Sequence, residues 1–264
     1  MYKICPKSLF VGQKIVYLPT CQSTNDEAAD LLLSQDLPEG TVVITNRQTA
    51  GRGQRGNQWE AEAGQNLTFS LILTPTFLSA TEQFWLNIAV SLAINDVLAP
   101  LLPSGGLTIK WPNDVYVHDR KLGGVLIENT VQGYTLATSI VGIGLNVNQT
   151  TFGLPTATSL LLENSVDSPM PDEYVLSALL TILCEQLEKR YLQLRAGRSE
   201  SQRTQLRETY LNHLYRYRQP HLYEADGHRF TATLIDVDPL GRLALWTNGQ
   251  VRYFGFKEVQ FIKG

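Results

Sequence analysis

Asn46-Arg47-Gln48-Thr49-Ala50-Gly51-Arg52-Gly53-Gln54-Arg55-Gly56-Asn57-Gln58-Trp59 leaves one apolar stretch, Thr41-Val42-Val43-Ile44-Thr45, and precedes another, Leu67-Thr68-Phe69-Ser70-Leu71-Ile72-Leu73. Its core, Gly51 to Gly56, formally satisfies G-x-G-x-x-G. A dinucleotide-binding fold requires a helix directly after that motif and an acidic residue about 20 positions on. Here Asn57 to Gly64 is polar and turn-like, a strand follows, and position 71 is a leucine. The loop therefore joins strand to strand, and a doubly wound dinucleotide fold is rejected. Three glycines let the backbone approach a ligand closely, and Arg52 and Arg55 offer forked donors for carboxylate or phosphate. Such a loop is costly to order, so an anionic ligand is expected to order it.

Outward from this loop, the N-terminal side carries a β-rich run, Ile15-Val16-Tyr17-Leu18, and then Ser23-Thr24-Asn25-Asp26-Glu27-Ala28. The second stretch reads as a capped helix start. That is the plainer reading; the sharper one is three small polar side chains ringing a ligand head group at a strand-to-helix junction. On the C-terminal side, Leu67, Phe69, Leu71 and Leu73 alternate with Thr68 and Ser70, the pattern of a half-buried strand. Thr81 to Leu102 reads as a helix. Two short strands then flank a Pro112-Asn113-Asp114 turn in Lys110-Trp111-Pro112-Asn113-Asp114, and further strands cover Lys121 to Glu128 and Tyr134 to Val141. Strands joined by tight turns predict an α+β fold with a mixed, largely antiparallel sheet and packed helices, rather than alternating βαβ units.

Helices are predicted over Pro171–Leu194 and Ser199–Leu214. From His221 onward short strands alternate with turns at Asp226-Gly227, Asp238-Pro239-Leu240-Gly241 and Asn248-Gly249, the texture of a small β-barrel. The expected division is a domain over 1–216 and a small module over 217–264.

The 264 residues are 43% hydrophobic and 18% charged, with a net charge of −3, so any anion site must be local. No apolar run suggests a membrane span or secretory signal, and three cysteines without metal spacing fit a reduced, cytoplasmic setting. Walker, metal-ligand and G-x-S-x-G patterns are absent. What remains is cationic: Arg52 and Arg55 on one loop, Lys110 and Lys121 on neighbouring strands, with Asn113, Asp114 and Asn146 at strand ends. From the residues alone, this set binds a phosphorylated ligand.

The combination Ser23-Thr24-Asn25, Gly51-Arg52-Gly53-x-x-Gly56-x-x-Trp59, Lys110-Trp111-Pro112-Asn113-Asp114, Arg120-Lys121-Leu122-x-Gly124 and Gly142-x-Gly144-x-Asn146 resembles biotin–protein ligase. The resemblance covers Leu18 to Asn148; the C-terminal module resembles that family's SH3-like domain in pattern only. It implies two half-reactions: biotin and ATP, with magnesium, give biotinyl-5′-AMP and pyrophosphate, and a lysine of a biotin carboxyl carrier domain of acetyl-CoA carboxylase is then acylated. Carried over by position, Ser23, Thr24, Asn25 and Gln48 form the biotin cradle, joined by Arg52, Gly53, Gln54, Lys121 and Gly124. Arg52, Arg55, Trp59, Lys110, Asn113, Lys121 and Asn146 take ATP, with Trp59 packing on adenine and Asn146 bonding the base edge. Lys121, Arg52 and Asp114 are the implied catalytic residues. Lys121 bridges the biotin carboxyl group and the α-phosphate; Asp114 orients Lys121, assists magnesium or accepts the incoming lysine's proton.

Many relatives carry arginine where this chain has Gln54, which removes one loop charge. Relatives that repress transcription carry a winged helix of about 60 residues ahead of this domain; only 22 residues precede Ser23 here, so no DNA binding is expected. Monomer and homodimer both fit. Lipoate or octanoate ligases and transferases share the superfamily, and a non-catalytic biotin or nucleotide sensor is the alternative of another class.

Overall fold

A computed structural model describes residues 4–102, 105–164, 174–197 and 199–262, apart from the Arg55 side chain. The large sheet uses seven strands: β1 (Ile15–Cys21), β2 (Val42–Gln48), β3 (Leu67–Leu73), β4 (Leu107–Lys110), β5 (Asp114–Val117), β6 (Arg120–Gln132) and β7 (Thr135–Leu145). Their order is β1-β2-β3-β7-β6-β5-β4. All pairings are antiparallel except β1 with β2, which is parallel. A mixed, largely antiparallel sheet is what the sequence leads one to expect, and this pair is its parallel member. Helix α1 (Thr24–Ser34) makes the connection between β1 and β2, and a parallel neighbour requires such a crossover.

The two faces of the sheet are covered differently. On one, Ala28 of α1 packs with Val43, Ile72 and Ile140, and Leu31 and Leu32 complete its apolar side. On the other lies the main core, with Leu67, Phe69, Leu71 and Leu73 of β3 beneath α2 (Phe84–Leu98) and α4 (Leu176–Ala196). Strand β3 is therefore buried on both faces, not one. Its alternation is present as expected, but its polar face, Thr68 and Ser70, turns toward a cavity instead of solvent.

Helix α2 is nearly all apolar, and with its flanking turns forms a 22-residue stretch, Ala80–Leu101, long and apolar enough by composition to cross a membrane. Buried residues line every side of it, so it reads as the central helix of a core. Pro100 lacks an amide hydrogen, and the stretch expected as one helix to Leu102 ends as a 3-10 turn over Ala99–Leu101. The helix expected from Pro171 runs from Leu176, residues 171–173 lying outside those described. A short helix α3 (Leu160–Asn164) and α5 (Glu200–Asn212) complete the helical set, α5 opening with a Ser199/Gln202 capping box.

Glu188, buried in α4, anchors the N-terminal segment. Its carboxylate accepts backbone N–H bonds from Leu9 (2.6 Å), Phe10 (2.7 Å) and Val11 (3.0 Å). Three charge-assisted bonds satisfy what would otherwise be a costly buried charge.

Five antiparallel strands form the C-terminal module: β8 (Pro220–Ala225), β9 (His228–Val237), β10 (Leu243–Thr247), β11 (Gln250–Phe254) and β12 (Gln260–Phe261), in the order β11-β10-β9-β8-β12. This is an SH3-like arrangement; among the described residues no ladder closes β11 onto β12. Trp111 docks the module. Its indole Nε1 donates to Gly241 O (2.9 Å), and its ring meets Phe256 edge-on at 6.2 Å.

Candidate active site

The carboxyl ends of β1 and β2, the glycine loop, the first half of β6, the carboxyl end of β7, the β4–β5 turn and the module's last turn enclose one cavity of about 610 Å³. Ser23, Thr24, Asn25, Gln48, Arg52, Gly53, Gln54, Trp59, Lys110, Asn113, Asp114, Lys121 and Gly124 all line it. Asn146 does not: it is buried behind the wall, where Nδ2 donates to Thr158 O (2.9 Å). That bond fastens the segment after β7, while Asn146 Oδ1 is buried with no hydrogen-bond partner among the described residues. The Arg55 side chain lies outside the described atoms, and only its backbone, in the 3-10 turn Gln54–Gly56, is placed.

Two readings of Ser23 were open, and the local geometry separates them. Ser23 sits at the N-cap position of α1 with an extended backbone, yet its side chain makes no capping bond. It lines the cavity instead, 2% exposed, beside Thr24 and Asn25 at 3% each. Thr24 N–H donates to Gln48 Oε1 (2.7 Å). Ser70 Oγ donates to Asn25 Oδ1 (2.6 Å) and lies 2.8 Å from Thr24 Oγ1. Asn25 Nδ2 donates to Glu128 Oε2 (2.7 Å). Thr24 and Asn25 are thus tied through Gln48, Ser70 and Glu128 into a polar network that holds their positions.

Two glycines of β7 shape the floor. A β-carbon on Gly142 would stand 2.3 Å from Asn25 Oδ1, and one on Gly144 would stand 2.4 Å from Trp59 Cε2. Their missing side chains are what let Asn25 and the Trp59 ring lie against the strand. Trp59 Nε1 is buried and has no hydrogen-bond partner among the described residues. Lys121 Nζ lies 6.0 Å from the Trp59 ring centroid and 2.7 Å from Asp114 Oδ1, both partly exposed to the cavity. Lys110 Nζ donates to Tyr116 Oη (3.2 Å) and sits 5.5 Å from the Phe261 ring. Burial first, and then the Asp114 charge, pushes the Tyr116 phenol up to about 12, so it is a neutral partner for Lys110 at neutral pH. Asn113 Nδ2 donates to Val125 O, fixing the β4–β5 turn against β6.

Arg52 departs most from expectation. Its guanidinium grips Glu128 through two bonds, Nη1 to Oε1 (3.0 Å) and Nη2 to Oε2 (2.7 Å), and pairs with Asp26 Oδ1 (2.6 Å). The charge assigned to a ligand carboxylate or phosphate is taken up by two carboxylates of the protein. The loop's backbone also bonds to itself. Trp59 N–H donates to Gly51 O (2.9 Å) and Gly53 N–H to Asn57 O (2.7 Å), a small hairpin. Neither Asp26, Glu128, Thr68 nor the module's Phe256, Lys257 and Phe261 were singled out from the sequence. Each lies far along the chain from what it meets, and only the period-2 pattern of β3 hinted at Thr68.

Residues 17–146 match the model of the biotin/lipoate A/B protein ligase family. That stretch, just under half of the chain, is similar to this family. It holds every cavity residue named above except those of the C-terminal module. Among relatives, the Bacillus spizizenii bifunctional ligase/repressor BirA is 35% identical over 152 residues, 56% of this chain and 45% of that protein. The Mycobacterium tuberculosis biotin–[acetyl-CoA-carboxylase] ligase is 35% identical over 160 residues, 60% of this chain and 56% of that one. The matches thus span about half the length of these relatives. The biotin protein ligase from Aquifex aeolicus, solved in complex with biotin and ATP, superposes with a TM-score of 0.74 at 22% identity, covering 96% of this chain and 100% of that one. This similarity includes the C-terminal module and establishes a shared fold.

Among the described residues no cluster of three or more His, Cys, Asp and Glu could hold a metal ion. A hard, strongly hydrated ion such as Mg²⁺ needs no such cage when it arrives on phosphates, because one carboxylate then suffices. Asp114 is a carboxylate of the cavity lining placed to serve.

Proposed function

We propose that this chain is a biotin–protein ligase, activating biotin with ATP and transferring it to a lysine of a carrier domain. The observation that carries the reading is the sharing of one cavity by a buried polar cradle and the Lys121–Asp114 pair. Biotin's bicyclic head carries a urea, with one acceptor and two donors, which suits Ser23, Thr24, Asn25 and Gln48. The head of lipoate is an apolar dithiolane. It would offer no hydrogen bond to cradle atoms that face the cavity, and a buried polar atom left without a partner costs about 1–3 kcal/mol. The cradle therefore favours biotin within this family.

In the first step the biotin carboxylate oxygen forms a bond to the α-phosphorus while the bond to the β-phosphate oxygen breaks, releasing pyrophosphate. Carboxylate and phosphate are both anions, so their approach requires a fixed cation. Lys121 supplies it, oriented by Asp114, in a site whose charges need not reorganise during the reaction. Mg²⁺ bound to the phosphates would neutralise part of their charge. Trp59 covers the adenine side, and Arg52, held by Glu128 and Asp26, keeps the glycine loop over the anhydride and limits hydrolysis. In the second step the carrier lysine attacks the acyl carbon, AMP departs with the bonding pair, and the amine proton is lost to Asp114 or to solvent.

Incubating the chain with biotin, ATP and Mg²⁺ tests the reading: biotin-dependent pyrophosphate release is expected. Release with lipoate in place of biotin would move the assignment to the lipoate branch. None with either would favour a binding protein without catalysis.

A further inference from the structure

Lys121 is the second residue of β6, at an end of the strand where the regular ladders give out. The β6–β7 ladder starts only at Gly123, which pairs with Leu145, the last residue of β7. On the other side, the β5–β6 register shifts between Val115 and Tyr116, next to the pairing of Tyr116 with Lys121. A strand end without regular neighbours frays, and a long side chain there samples many positions. A lysine that must stand at one point in the cavity therefore needs some other restraint.

A loop supplies it. After Asn146 the chain leaves the sheet and returns at Thr156 to Thr158. There Lys121 N–H donates to Thr156 O (2.7 Å) and Thr158 N–H donates to Lys121 O (2.9 Å), a short parallel bridge between Lys121 and Ala157. Thr158 is fully buried and each of its polar groups is engaged: the N–H with Lys121, the carbonyl with Asn146 Nδ2, and the hydroxyl with Glu163 Oε1. The same Glu163 oxygen pairs with Nη2 of Arg120 (2.9 Å), the residue directly before Lys121. Glu163 thus ties the returning loop to the first residue of β6. Its side chain is only 7% exposed, against 46% for Arg120, and a carboxylate is buried to that degree at a cost that its bonds must offset. Glu163 is not needed to cap α3, because Ser159 Oγ already accepts from Leu162 N–H (3.2 Å).

We infer that Glu163 is a positioning residue for the adenylation step. Acting through Thr158 and Arg120, it holds the end of β6 and so sets where the Lys121 ammonium group stands. Glu163 is not among the residues that line the cavity. The inference rests on the ligase reading and adds to the site a side chain that no substrate touches.

The experiment uses the full chain with E163A, E163Q and T158V, and with E163A and T158V each combined with K121A. Biotin-dependent pyrophosphate release gives kcat, and titration with biotin alone gives its affinity. Misplacing a reacting group by about 1 Å can cost roughly a hundredfold, so kcat in E163A should fall about 10- to 100-fold while biotin affinity stays native. A glutamine oxygen still accepts from Thr158 and loses only the charge pair with half-exposed Arg120, so E163Q should keep kcat within about threefold of native. T158V keeps the side-chain shape and removes the hydroxyl alone. It tests the same link should E163A fold poorly, with an expected fall in kcat of about tenfold. In the K121A background neither substitution should lower the residual rate further, because a residue that works through Lys121 then has nothing left to place. Loss by the same factor with and without Lys121 would assign Glu163 to general stability and overturn the inference. So would native kcat in both E163A and T158V, or a fall in biotin affinity that matches the fall in kcat. Absence of biotin-dependent pyrophosphate release from the unaltered chain would instead remove the ligase reading itself, and the inference with it.

Discussion

Two glycines on one strand, separated by a single residue, should divide the two ligands between them. In Gly144→Ala the new β-carbon would stand 2.4 Å from Trp59 Cε2 where ordinary contact begins at 3.4 Å, so the indole must retreat by about 1 Å. Trp59 belongs to a partly exposed loop, and its ring can move. The expected loss is part of a base-stacking contact, about 1–2 kcal/mol, or roughly 5- to 30-fold in KM for ATP. Biotin binding without nucleotide should change little. In Gly142→Ala the β-carbon would stand 2.3 Å from Asn25 Oδ1, and Asn25 is held by both Ser70 and Glu128. It cannot retreat without breaking the network, so biotin affinity should fall, and thermal stability by about 1–3 kcal/mol. Titration calorimetry with biotin alone, followed by pyrophosphate-release kinetics against ATP, reads both. If the two variants lose biotin affinity equally, or if Gly144→Ala leaves the KM for ATP at the native value, the assignment of cavity ends is wrong.

Other consequences are checked more simply. Lys121→Ala should retain biotin binding while adenylation falls by roughly 10²–10³-fold, the usual effect of losing one preorganised electrostatic group; a parallel loss of biotin affinity contradicts the bridging role. Glu128→Gln weakens the grip on Arg52 and should increase tryptic cleavage within the glycine loop, whereas unchanged cleavage would mean that the loop's own backbone bonds suffice. Burial, opposed by the Asp96 charge, holds His213 below the ordinary histidine value of 6.5. The unfolded chain then binds this proton more readily than the folded one. Stability should be full above pH 6.5 and fall as pH drops through the folded value, with His213→Gln flattening that slope in thermal melts.

Much of the fold was legible because local pattern and burial agree. Leu67, Phe69, Leu71 and Leu73 alternate as a strand should, and Ser199 with Gln202 caps α5 as written. Burial of the opposite face was not legible: Thr68 and Ser70 look solvent-bound in sequence and instead line or brace the site. The helix that crosses between the parallel β1 and β2 was harder to separate from the site, since a helix start and a ligand cradle are written in the same residues, Ser23 to Asn25. The cavity's composition was readable where short motifs put several members together, as at Lys110 to Asp114. It was unreadable where partners come from afar. Arg52 meets Glu128 76 positions away, and no periodicity announces that its charge is already matched. Trp111 stands among site residues yet serves to dock the second sheet through Gly241. Asn146 shows the converse, a motif residue outside the cavity lining whose Nδ2 is taken by Thr158 O.

The central claim is that one cavity joins a cradle for biotin to a lysine that assists attack on the α-phosphate, so that the product is a biotinylated lysine. Intact-mass spectrometry of a biotin carboxyl carrier domain, incubated with the chain, biotin, ATP and Mg²⁺, tests it most directly. The account predicts addition of a single biotinyl group to the carrier lysine, dependent on both biotin and ATP and abolished by Lys121→Ala. An unmodified carrier domain, or one modified equally well by the Lys121→Ala variant, would contradict it.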